Sequence, residues 1–324
     1  MIIVTGAAGF IGSYLIKRLN EDNFNAIIAV DLFDNVEKNK NLVGLKIQER
    51  VNRDEFLSWL DQNNELVEFV FHIGARTDTT EFDSALLNRL NTQYTKDLWQ
   101  KCCRYQLPLV YASSAATYGL GEMGYDDDES KIELLKPLNP YGQSKQDFDV
   151  WALKQKEKPF FWAGLKFFNV YGPNEYHKGR MASVVWHAYN QILKTGKMKL
   201  FRSHNPAYKD GEQMRDFIFV KDVAEVCMFL MHHRKNSGIY NLGSGKARTF
   251  NDLAKAVFRA LDKPANIEYI DTPVDVRDTY QYFTEANMGK LTKIGYQTAF
   301  SPLEQGIKTY IEGIKHPIAN ASKP

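Results

Sequence analysis

The sequence has few cysteines and no long apolar run. Its 324 residues contain three cysteines, Cys102, Cys103 and Cys227, of which the first two are adjacent. Three cysteines do not make a disulfide framework, so reduced thiols in the cytoplasm are the expectation. No stretch approaches the ~18 consecutive apolar residues of a membrane span, and the first residues lack a basic leader and a cleavage site. We therefore expect a cytoplasmic protein without a signal peptide or a membrane segment.

The sequence also lacks an excess of charge of either sign. It has 41 Lys and Arg against 39 Asp and Glu, and no long block of one sign. This balance gives no reason to expect nucleic acid or an anionic membrane as a partner, although a local basic cluster can still bind a small anion. With 44% hydrophobic residues, the chain can bury a large core, as one domain or as two lobes that share a cleft.

Apolar runs alternate with amphipathic segments over the first two thirds of the chain. The apolar runs predict strands at 2–5, 26–31, 67–72, 107–112 and 160–168. The segments between them predict helices at 11–20, 53–61, 84–105 and 141–156. The strands are apolar nearly throughout, which favours burial between two layers of helices. The pattern predicts an α/β fold with a doubly wound parallel sheet, the Rossmann arrangement.

The composition of the sequence changes after about residue 170, where the predicted loops become longer and more polar. Helices are predicted near 181–195, 250–262 and 302–314, and strands at 198–201, 217–220, 267–270 and 238–242. The last of these strands can rejoin the main sheet. We predict a cofactor domain over residues 1–170 with a returning segment near 216–245, and a smaller, discontinuous substrate lobe mainly over 171–324. Ligands of such folds bind at the carboxyl edge of the sheet.

A glycine-rich segment at 5–12 follows the first predicted strand and opens the first helix. Its three glycines allow a tight turn and a close approach of the backbone to a pyrophosphate, which the helix N-terminus attracts. They are Gly6, Gly9 and Gly12. Asp31, at the end of the next strand, is placed to accept hydrogen bonds from an adenosine ribose. The segment predicts a dinucleotide site, in which Lys38 either binds a 2′-phosphate or is a solvated loop lysine.

A serine pair follows the fourth predicted strand, and a Tyr-x-x-x-Lys pattern opens a later helix. Tyr141 and Lys145 are four residues apart and so share one helix face. A phenol with a pKa near ~10 becomes a usable base where an ammonium and an oxidised nicotinamide lower that pKa. Ser114 can hydrogen-bond the same substrate oxygen. The set predicts proton transfer coupled to hydride transfer; the alternative is a core tyrosine beside a surface lysine.

These motifs carry a resemblance to known enzymes. TGxxGxxG, the Ser-Ser strand end and Tyr-x-x-x-Lys resemble the extended short-chain dehydrogenase/reductase superfamily, whose members mostly modify nucleotide sugars. The strings YASSAATYG, FNVYGP, HKGRMASV and Arg215-Asp216-Phe217 resemble the ADP-L-glycero-D-manno-heptose 6-epimerases across essentially the whole chain. The resemblance implies an isomerase that inverts C6″ of an ADP-heptose through a keto intermediate, with tightly bound NADP. It also implies a homo-oligomer and a place in assembly of the lipopolysaccharide core; NAD stays the alternative cofactor.

The resemblance assigns the two acid–base roles to Tyr141 and Lys178, with Ser114 and Lys145 as catalytic partners. Hydride leaves to one fixed nicotinamide face and returns from it, so the ketone must turn over, and its oxygen moves. One group cannot reach both oxygen positions within hydrogen-bond distance, which gives a second base its purpose. Without the resemblance, Lys178 reads as a loop lysine that contacts phosphate or water. Another epimerase or a dehydratase of the superfamily stays an alternative, as does a non-catalytic module that senses a dinucleotide.

The resemblance also implies the binding residues. Besides the three glycines, Tyr141, Lys145 and Lys178, the cofactor contacts are Phe10, Ile11, Asp31, Leu32, Lys38, Arg53, Ile73, Gly74, Ala75, Arg76, Thr77, Asn91 and Val170. Besides Ser114, the substrate contacts are Asn169, Arg180, His187, Phe201, Arg202, Ser203, His204, Arg215 and Tyr280. Arg76 and Arg180 stand where small residues are common in the family, and the loop 205–214 is longer than usual. No residues are predicted to hold a metal.

Overall fold

Parallel strands form the centre of the molecule in the computed structural model, which describes residues 1–277 and 280–315. In chain order the strands are β1 (Ile2–Thr5), β2 (Ile27–Asp31), β3 (Glu49–Asn52), β4 (Phe69–His72), β5 (Leu109–Ser114), β6 (Trp162–Phe167), β7 (Asn169–Tyr171), β8 (Met198–Phe201), β9 (Met214–Phe219), β10 (Gly238–Leu242), β11 (Ala247–Thr249) and β12 (Ile267–Ile270). Seven of them form one sheet in the order β10-β6-β5-β4-β1-β2-β3, with every neighbouring pair parallel. The predicted doubly wound parallel sheet is confirmed.

Helices cover both faces of this sheet. In the described residues they are α1 (Phe10–Glu21), α2 (Val36–Asn39), α3 (Phe56–Asn63), α4 (Ser84–Leu87), α5 (Tyr94–Arg104), α6 (Pro140–Lys154), α7 (Val184–Thr195), α8 (Val220–His232), α9 (Phe250–Ala260), α10 (Val274–Arg277), α11 (Gly289–Lys293) and α12 (Leu303–Lys315). The strands are buried almost throughout because α1 and α8 pack on one face and α3, α5 and α6 on the other. No helix in residues 1–277 and 280–315 has the length and apolar character needed to cross a membrane.

Smaller sheets build a lobe at the carboxyl edge. One has the order β11-β9-β7, and the other pairs β8 with β12. Helices α7, α9 and α12 pack around β8 and β9 to form a third apolar core. The strand at 238–242 rejoins the main sheet beside β6, as the sequence predicts. Strands β2 and β3 lie on one side of β1, and β4, β5 and β6 lie on the other. The crevice between β1 and β4, where this order changes side, faces the lobe.

The structure differs from the predicted elements at several places. The helix expected over 84–105 is α4, a π-helical turn (Asn88–Gln93) and α5. The edge strand β3 is not predicted, because it begins with two exposed charged residues and has no apolar run. Helix α8 is also not predicted, although its four residues that are not buried recur every three or four positions.

A buried ion pair lies behind the carboxyl end of β5. Lys166 Nζ is 2.8 Å from Asp149 Oδ2, and both side chains are fully buried. Ser113 Oγ donates to Oδ2 over 2.6 Å, and Tyr111 donates its hydroxyl to Oδ1 over 3.0 Å. The Lys166 ammonium also donates to the Thr117 hydroxyl over 2.7 Å. The carboxylate therefore has a partner on each oxygen, and it joins β5 and β6 to α6.

Replacing Lys166 by Met is expected to lower the free energy of unfolding by about 3–5 kcal/mol, because it leaves the Asp149 charge buried and uncompensated. The matched control is Lys154→Met, whose ammonium lies 2.8 Å from Glu133 with both side chains more than half exposed. An exposed pair of this kind contributes only about 0–1 kcal/mol. Urea unfolding of both variants measures the difference. Equal losses would contradict the structural role given to the buried pair.

Candidate active site

Three neighbouring cavities follow the carboxyl edge of the main sheet. The inner cavity, of about 330 Å³, is lined by Ser114, Tyr141, Lys145 and Lys178 among others. The middle cavity, of about 350 Å³, lies at the glycine-rich segment and shares Phe10, Ile11, Ile73, Ala75, Thr77, Lys178 and Met181 with the inner one. The outer cavity, of about 430 Å³, contains Asp31, Leu32 and Arg53. These shared walls make one elongated cleft.

The glycine-rich segment forms the floor of the middle cavity. Gly6 has a φ of +64°, and a Cβ there would lie 2.6 Å from Gly74 Cα. A Cβ on Gly12 would lie 2.2 Å from the Gly6 carbonyl oxygen, so no larger residue fits either position. Phe10 and Ile11 begin α1 beside the cavity, where the first-turn N–H groups have no acceptor within the helix. The bare backbone and the helix N-terminus fit the pyrophosphate of a dinucleotide.

Asp31 and Lys38 form an ion pair between the middle and outer cavities. Lys38 Nζ donates to Asp31 Oδ1 over 2.6 Å, and the backbone N–H groups of Leu32 and Ala8 donate to Oδ1 and Oδ2 over 2.9 and 3.0 Å. The outer cavity is also lined by Arg53, Arg76 and Arg89. The Asp31 charge is thus neutralised locally, and this end of the cleft carries more positive than negative charge. Such an end suits a phosphate as well as a ribose.

Asn91 does not line the cleft, although the sequence analysis predicts a cofactor contact there. Its side chain is buried, and its Oδ1 accepts a hydrogen bond from the Arg76 N–H over 2.8 Å. Its Nδ2 donates to the Arg76 carbonyl over 3.0 Å and to Ser144 Oγ over 2.9 Å. Asn91 therefore holds the loop after β4 against α6. The π-helical turn that contains Asn91 directs this side chain towards the loop.

Tyr141, Ser114 and Lys145 meet at the inner cavity. Helix α6 begins there because Asn139 caps it, accepting the Gly142 N–H over 2.8 Å, and Pro140 occupies its first position. Burial raises the pKa of Tyr141, and its hydrogen bond with Ser114 opposes that rise. Lys145 donates instead to the Ala112 carbonyl over 2.8 Å, and burial lowers its pKa to about 8. In the protein itself, Ser114 rather than Lys145 favours the phenolate of Tyr141.

Lys178 reaches the same cleft from a separate loop. It lies in the helical turn Tyr176–Met181 and lines both the inner and the middle cavity. Its ammonium is 5.6 Å from the centroid of the Phe10 ring. Within the described part of the chain, this ammonium has no hydrogen bond or ion pair, and burial lowers the pKa of Lys178. This ammonium therefore loses its proton more easily than that of a solvated lysine.

The loop that carries Lys178 lies over the middle cavity and contacts both of its sides. Arg180 is 68% exposed, and its guanidinium is 3.5 Å from the carboxylate of Asp78 in the loop after β4. On the other side, Asn41 donates to the Asn174 carbonyl over 2.9 Å and contacts His177 Nδ1 at 3.3 Å. In this structure Arg180 therefore bridges two loops of the cleft, at the rim rather than inside a cavity.

A fourth cavity, which we call the lobe cavity, lies between α7, β8 and β9 and measures about 300 Å³. It brings together four of the predicted substrate residues, His187, Phe201, Arg215 and Tyr280. The Arg215 guanidinium is 5.6 Å from the Phe250 ring centroid and 5.4 Å from that of Tyr280. Lys199 also lines this cavity, and an apolar, aromatic cavity with two cations suits a nucleobase beside a phosphate.

The other predicted substrate residues divide between two places. Asn169, from β7, lines the inner cavity together with Val170, which is predicted as a cofactor contact. Arg202, Ser203 and His204 do not line the lobe cavity. Arg202 lies 3.4 Å from Asp271, and the backbone N–H groups of Ser203 and His204 donate to Asp210 and Tyr282. These three residues shape the loop beyond β8.

Several lining residues are absent from the predicted set. In the inner cavity they include Thr79, Met181, Ser183, Val184 and Phe217, and in the lobe cavity Gln191, Gln213 and Phe250. Most of them are apolar or uncharged and resemble ordinary core or helix positions in the sequence. Within residues 1–277 and 280–315, no group of three or more His, Cys, Asp or Glu side chains is arranged to hold a metal ion.

Comparison with known proteins places this cleft in a family. Residues 2–243 match the NAD dependent epimerase/dehydratase family. The ADP-L-glycero-D-manno-heptose-6-epimerase of Fusobacterium nucleatum is 48% identical over 322 residues, and that of Nitratidesulfovibrio vulgaris is 49% identical over 314 residues. Each alignment covers 96% of this chain and 97% of the relative.

A solved structure extends the comparison to three dimensions. The crystal structure of Helicobacter pylori ADP-L-glycero-D-manno-heptose-6-epimerase is similar to this chain with a TM-score of 0.81 and 30% sequence identity. The similarity covers 97% of this chain and 96% of that one. Sequence and fold thus agree over nearly the full length. The chain belongs to the NAD dependent epimerase/dehydratase family and, within it, to the ADP-L-glycero-D-manno-heptose-6-epimerases.

Proposed function

We propose that the protein interconverts ADP-D-glycero-β-D-manno-heptose and ADP-L-glycero-β-D-manno-heptose by transient oxidation at C6″, with NADP held in the cleft. The observation that carries this proposal is the meeting of Tyr141 and Lys178, from separate segments, in one cavity that adjoins the glycine-rich floor. The family supplies the class of cofactor, a nicotinamide dinucleotide. The names of the relatives supply the substrate.

Different parts of the cleft and the lobe cavity would bind different parts of the cofactor and the substrate. The first turn of α1 and the glycine-rich floor would hold the pyrophosphate, and Asp31, Leu32 and Arg53 lie where the adenosine half would sit. The lobe cavity would take the ADP of the substrate, with Arg215 beside its phosphates. The heptose then extends into the inner cavity, between the nicotinamide end of the cleft and Lys178.

A bound nicotinamide supplies the transfer of hydride from the carbinol carbon and its return. Tyr141 and Lys178 move the proton at the oxygen of that carbon, and Ser114 donates a hydrogen bond to the same oxygen in one of its two positions. Rotation about the exocyclic C5″–C6″ bond carries the ketone oxygen from one group to the other. One of the two residues thus removes the proton and the other returns it, with the roles exchanged in the reverse direction.

Burial favours the neutral forms of both acid–base residues. It raises the pKa of Tyr141 and lowers the pKa of Lys178, so the phenol keeps its proton while the amine loses one more easily. Removal of the alcohol proton and return of a proton to the ketone oxygen require one acceptor and one donor, whereas a bound dinucleotide would balance the hydride. The neutral forms also limit the electrostatic cost of burying two ionisable groups beside one substrate carbon.

Incubation of the purified protein with ADP-D-glycero-D-manno-heptose, without added reductant, tests the proposal. We expect a mixture of the two 6-epimers with unchanged mass, while the cofactor stays with the protein. Protein that contains bound NADP and forms no epimer would refute the function. A product lighter by one water molecule would indicate the dehydratase alternative instead.

Replacing Lys38 by Ala is expected to weaken NADP binding about 10- to 100-fold, the loss of one charge-assisted hydrogen bond. NAD binding should change much less, because NAD has no 2′-phosphate. Titration of cofactor-free protein with each dinucleotide measures both constants. Lys40→Ala is the matched control, since this lysine is 63% exposed and pairs with Glu37. Equal losses of NADP and NAD would show that Asp31 dominates the recognition of this end.

The cytoplasmic location, the homo-oligomer and the division into a cofactor domain and a substrate lobe stay predictions. Light scattering of the purified protein gives the oligomer size directly.

A further inference from the structure

Glu175 lies inside the loop that carries Lys178, and its side chain is 0% exposed. Its Oε1 accepts hydrogen bonds from the Gly172 N–H over 3.2 Å and from Ser183 Oγ over 2.8 Å. Its Oε2 accepts the backbone N–H of Ser183, the residue that caps α7. One carboxylate thus joins the beginning of the loop to its end.

The segment between these two attachment points meets the rest of the protein through residues that are not buried, among them Asn174, His177 and Arg180. From Pro173 to Met181, all described, Glu175 is the one buried residue. Asn174 and Gly179 have φ values of +78° and +54°, so the backbone reverses twice around the lysine. The Lys178 N–H donates to the Glu175 carbonyl over 3.0 Å, which places the lysine one turn beyond the buried carboxylate. The direction of the Lys178 side chain therefore depends on where Glu175 is held.

The charge of Glu175, as well as its position, affects Lys178. The negative charge of Glu175 raises the pKa of Lys178 and partly offsets the effect of burial. The other titratable groups around Glu175 are the phenols of Tyr176, in the same loop, and Tyr310, from α12. On the side of Lys178, the neighbouring titratable group of the same loop is His177, whose pKa the lysine helps to lower, and Lys38, Asp78, Tyr141 and Lys145 line the same cavities. Among the described carboxylates, Glu175 is the one whose charge raises the pKa of Lys178.

We propose that Glu175 is a positioning residue for the epimerisation: it closes the loop 172–183 and thereby holds the Lys178 ammonium in the inner cavity. This inference rests on the acid–base role proposed for Lys178. It adds a residue that contacts neither substrate nor cofactor.

The variant Glu175→Gln tests this role, because it keeps the size of the side chain and replaces one acceptor oxygen by an NH₂ group that cannot accept the Ser183 N–H. We expect kcat to fall about 100-fold, the loss typical of a misplaced catalytic group. The KM for ADP-heptose and the content of bound NADP should stay unchanged. The limb of the pH–rate profile that belongs to Lys178 should move to lower pH, since the charge that raised its pKa is gone. Glu133→Gln, at an exposed ion pair, is the control without an effect.

Two further measurements separate this role from general stability. In the Lys178→Met background, Glu175→Gln should cause no additional loss of rate, because the two residues act as a unit. Glu175→Asp keeps the charge but shortens the reach, so kcat should fall without a shift of the pH limb; this variant decides the matter if Glu175→Gln does not fold. Wild-type kcat in the folded variants, or an independent loss in the double variant, would overturn the inference. Wild-type protein that does not epimerise ADP-heptose would instead refute the proposed function.

Discussion

Replacing Tyr141 by Phe is expected to slow epimerisation about 10³- to 10⁴-fold, at the upper end of what one acid–base group contributes. The change removes a single hydroxyl and its hydrogen bond with Ser114, and it leaves the ring in place at the start of α6. The cleft should therefore keep its NADP, which absorbance of the denatured protein's supernatant measures. The rate is followed by chromatographic separation of the two epimers.

Tyr105→Phe provides the matched control for this change. Its hydroxyl donates to Asp61 over 2.7 Å on the protein surface, and Tyr105 lines neither the cleft nor the lobe cavity. Removal of that hydroxyl should leave the rate unaltered. Turnover of Tyr141→Phe within tenfold of the wild type would exclude the phenol as a proton carrier and leave Ser114 as the group that contacts the oxygen.

Replacing Lys178 by Met is expected to slow the reaction about 10³- to 10⁴-fold as well. Methionine keeps an unbranched side chain beside Phe10 but cannot carry a proton, so the cavity keeps its shape. Binding of NADP should persist, because the glycine-rich floor and the Asp31–Lys38 pair are untouched. Full activity of this variant would show that Lys178 binds a phosphate or contacts only solvent, and is not an acid–base residue.

The companion variant Lys178→Arg separates proton transfer from charge. A guanidinium keeps the positive charge and can bind a phosphate, but it does not give up its proton at neutral pH. An acid–base lysine therefore predicts that Lys178→Arg is as slow as Lys178→Met. Recovery of the rate in Lys178→Arg would mean that the lysine acts through its charge alone.

The main sheet and its glycine-rich turn could be predicted because their signals are local. Each strand of the main sheet except β3 is a short apolar run next to a helical pattern, and the turn at 5–12 is a fixed spacing of glycines that the backbone geometry requires at Gly6 and Gly12. Helix α8 was missed although its few residues that are not buried follow the helical spacing. Single residues with special backbone requirements, such as these two glycines, therefore indicated the fold better than the average composition of a segment did.

The site could be predicted only in part, because most of its contacts join distant segments. Tyr141 and Lys178 were named from motifs, yet neither motif states that the two side chains enter one cavity. The Asn91 side chain forms hydrogen bonds with Arg76 and Ser144. No spacing of residues in the sequence indicates that a side chain holds a loop in this way. Glu175 looks like any acidic loop residue until its burial is known. Motifs thus indicate the chemistry, whereas the contacts that hold the motif residues in place are visible only in the three-dimensional structure.

The position of β10 has a consequence for how the chain folds. This strand pairs with β6, although about seventy residues, including α7, β8 and β9, separate the two. Until residues 238–242 have been synthesised, β6 is an open edge with unpaired backbone groups, a state that favours wrong pairing. The main sheet is therefore completed only after much of the lobe around β8 and β9 exists, and a fragment that ends at residue 170 would lack a protected edge. The two halves of the cleft form one folding unit, finished late in translation.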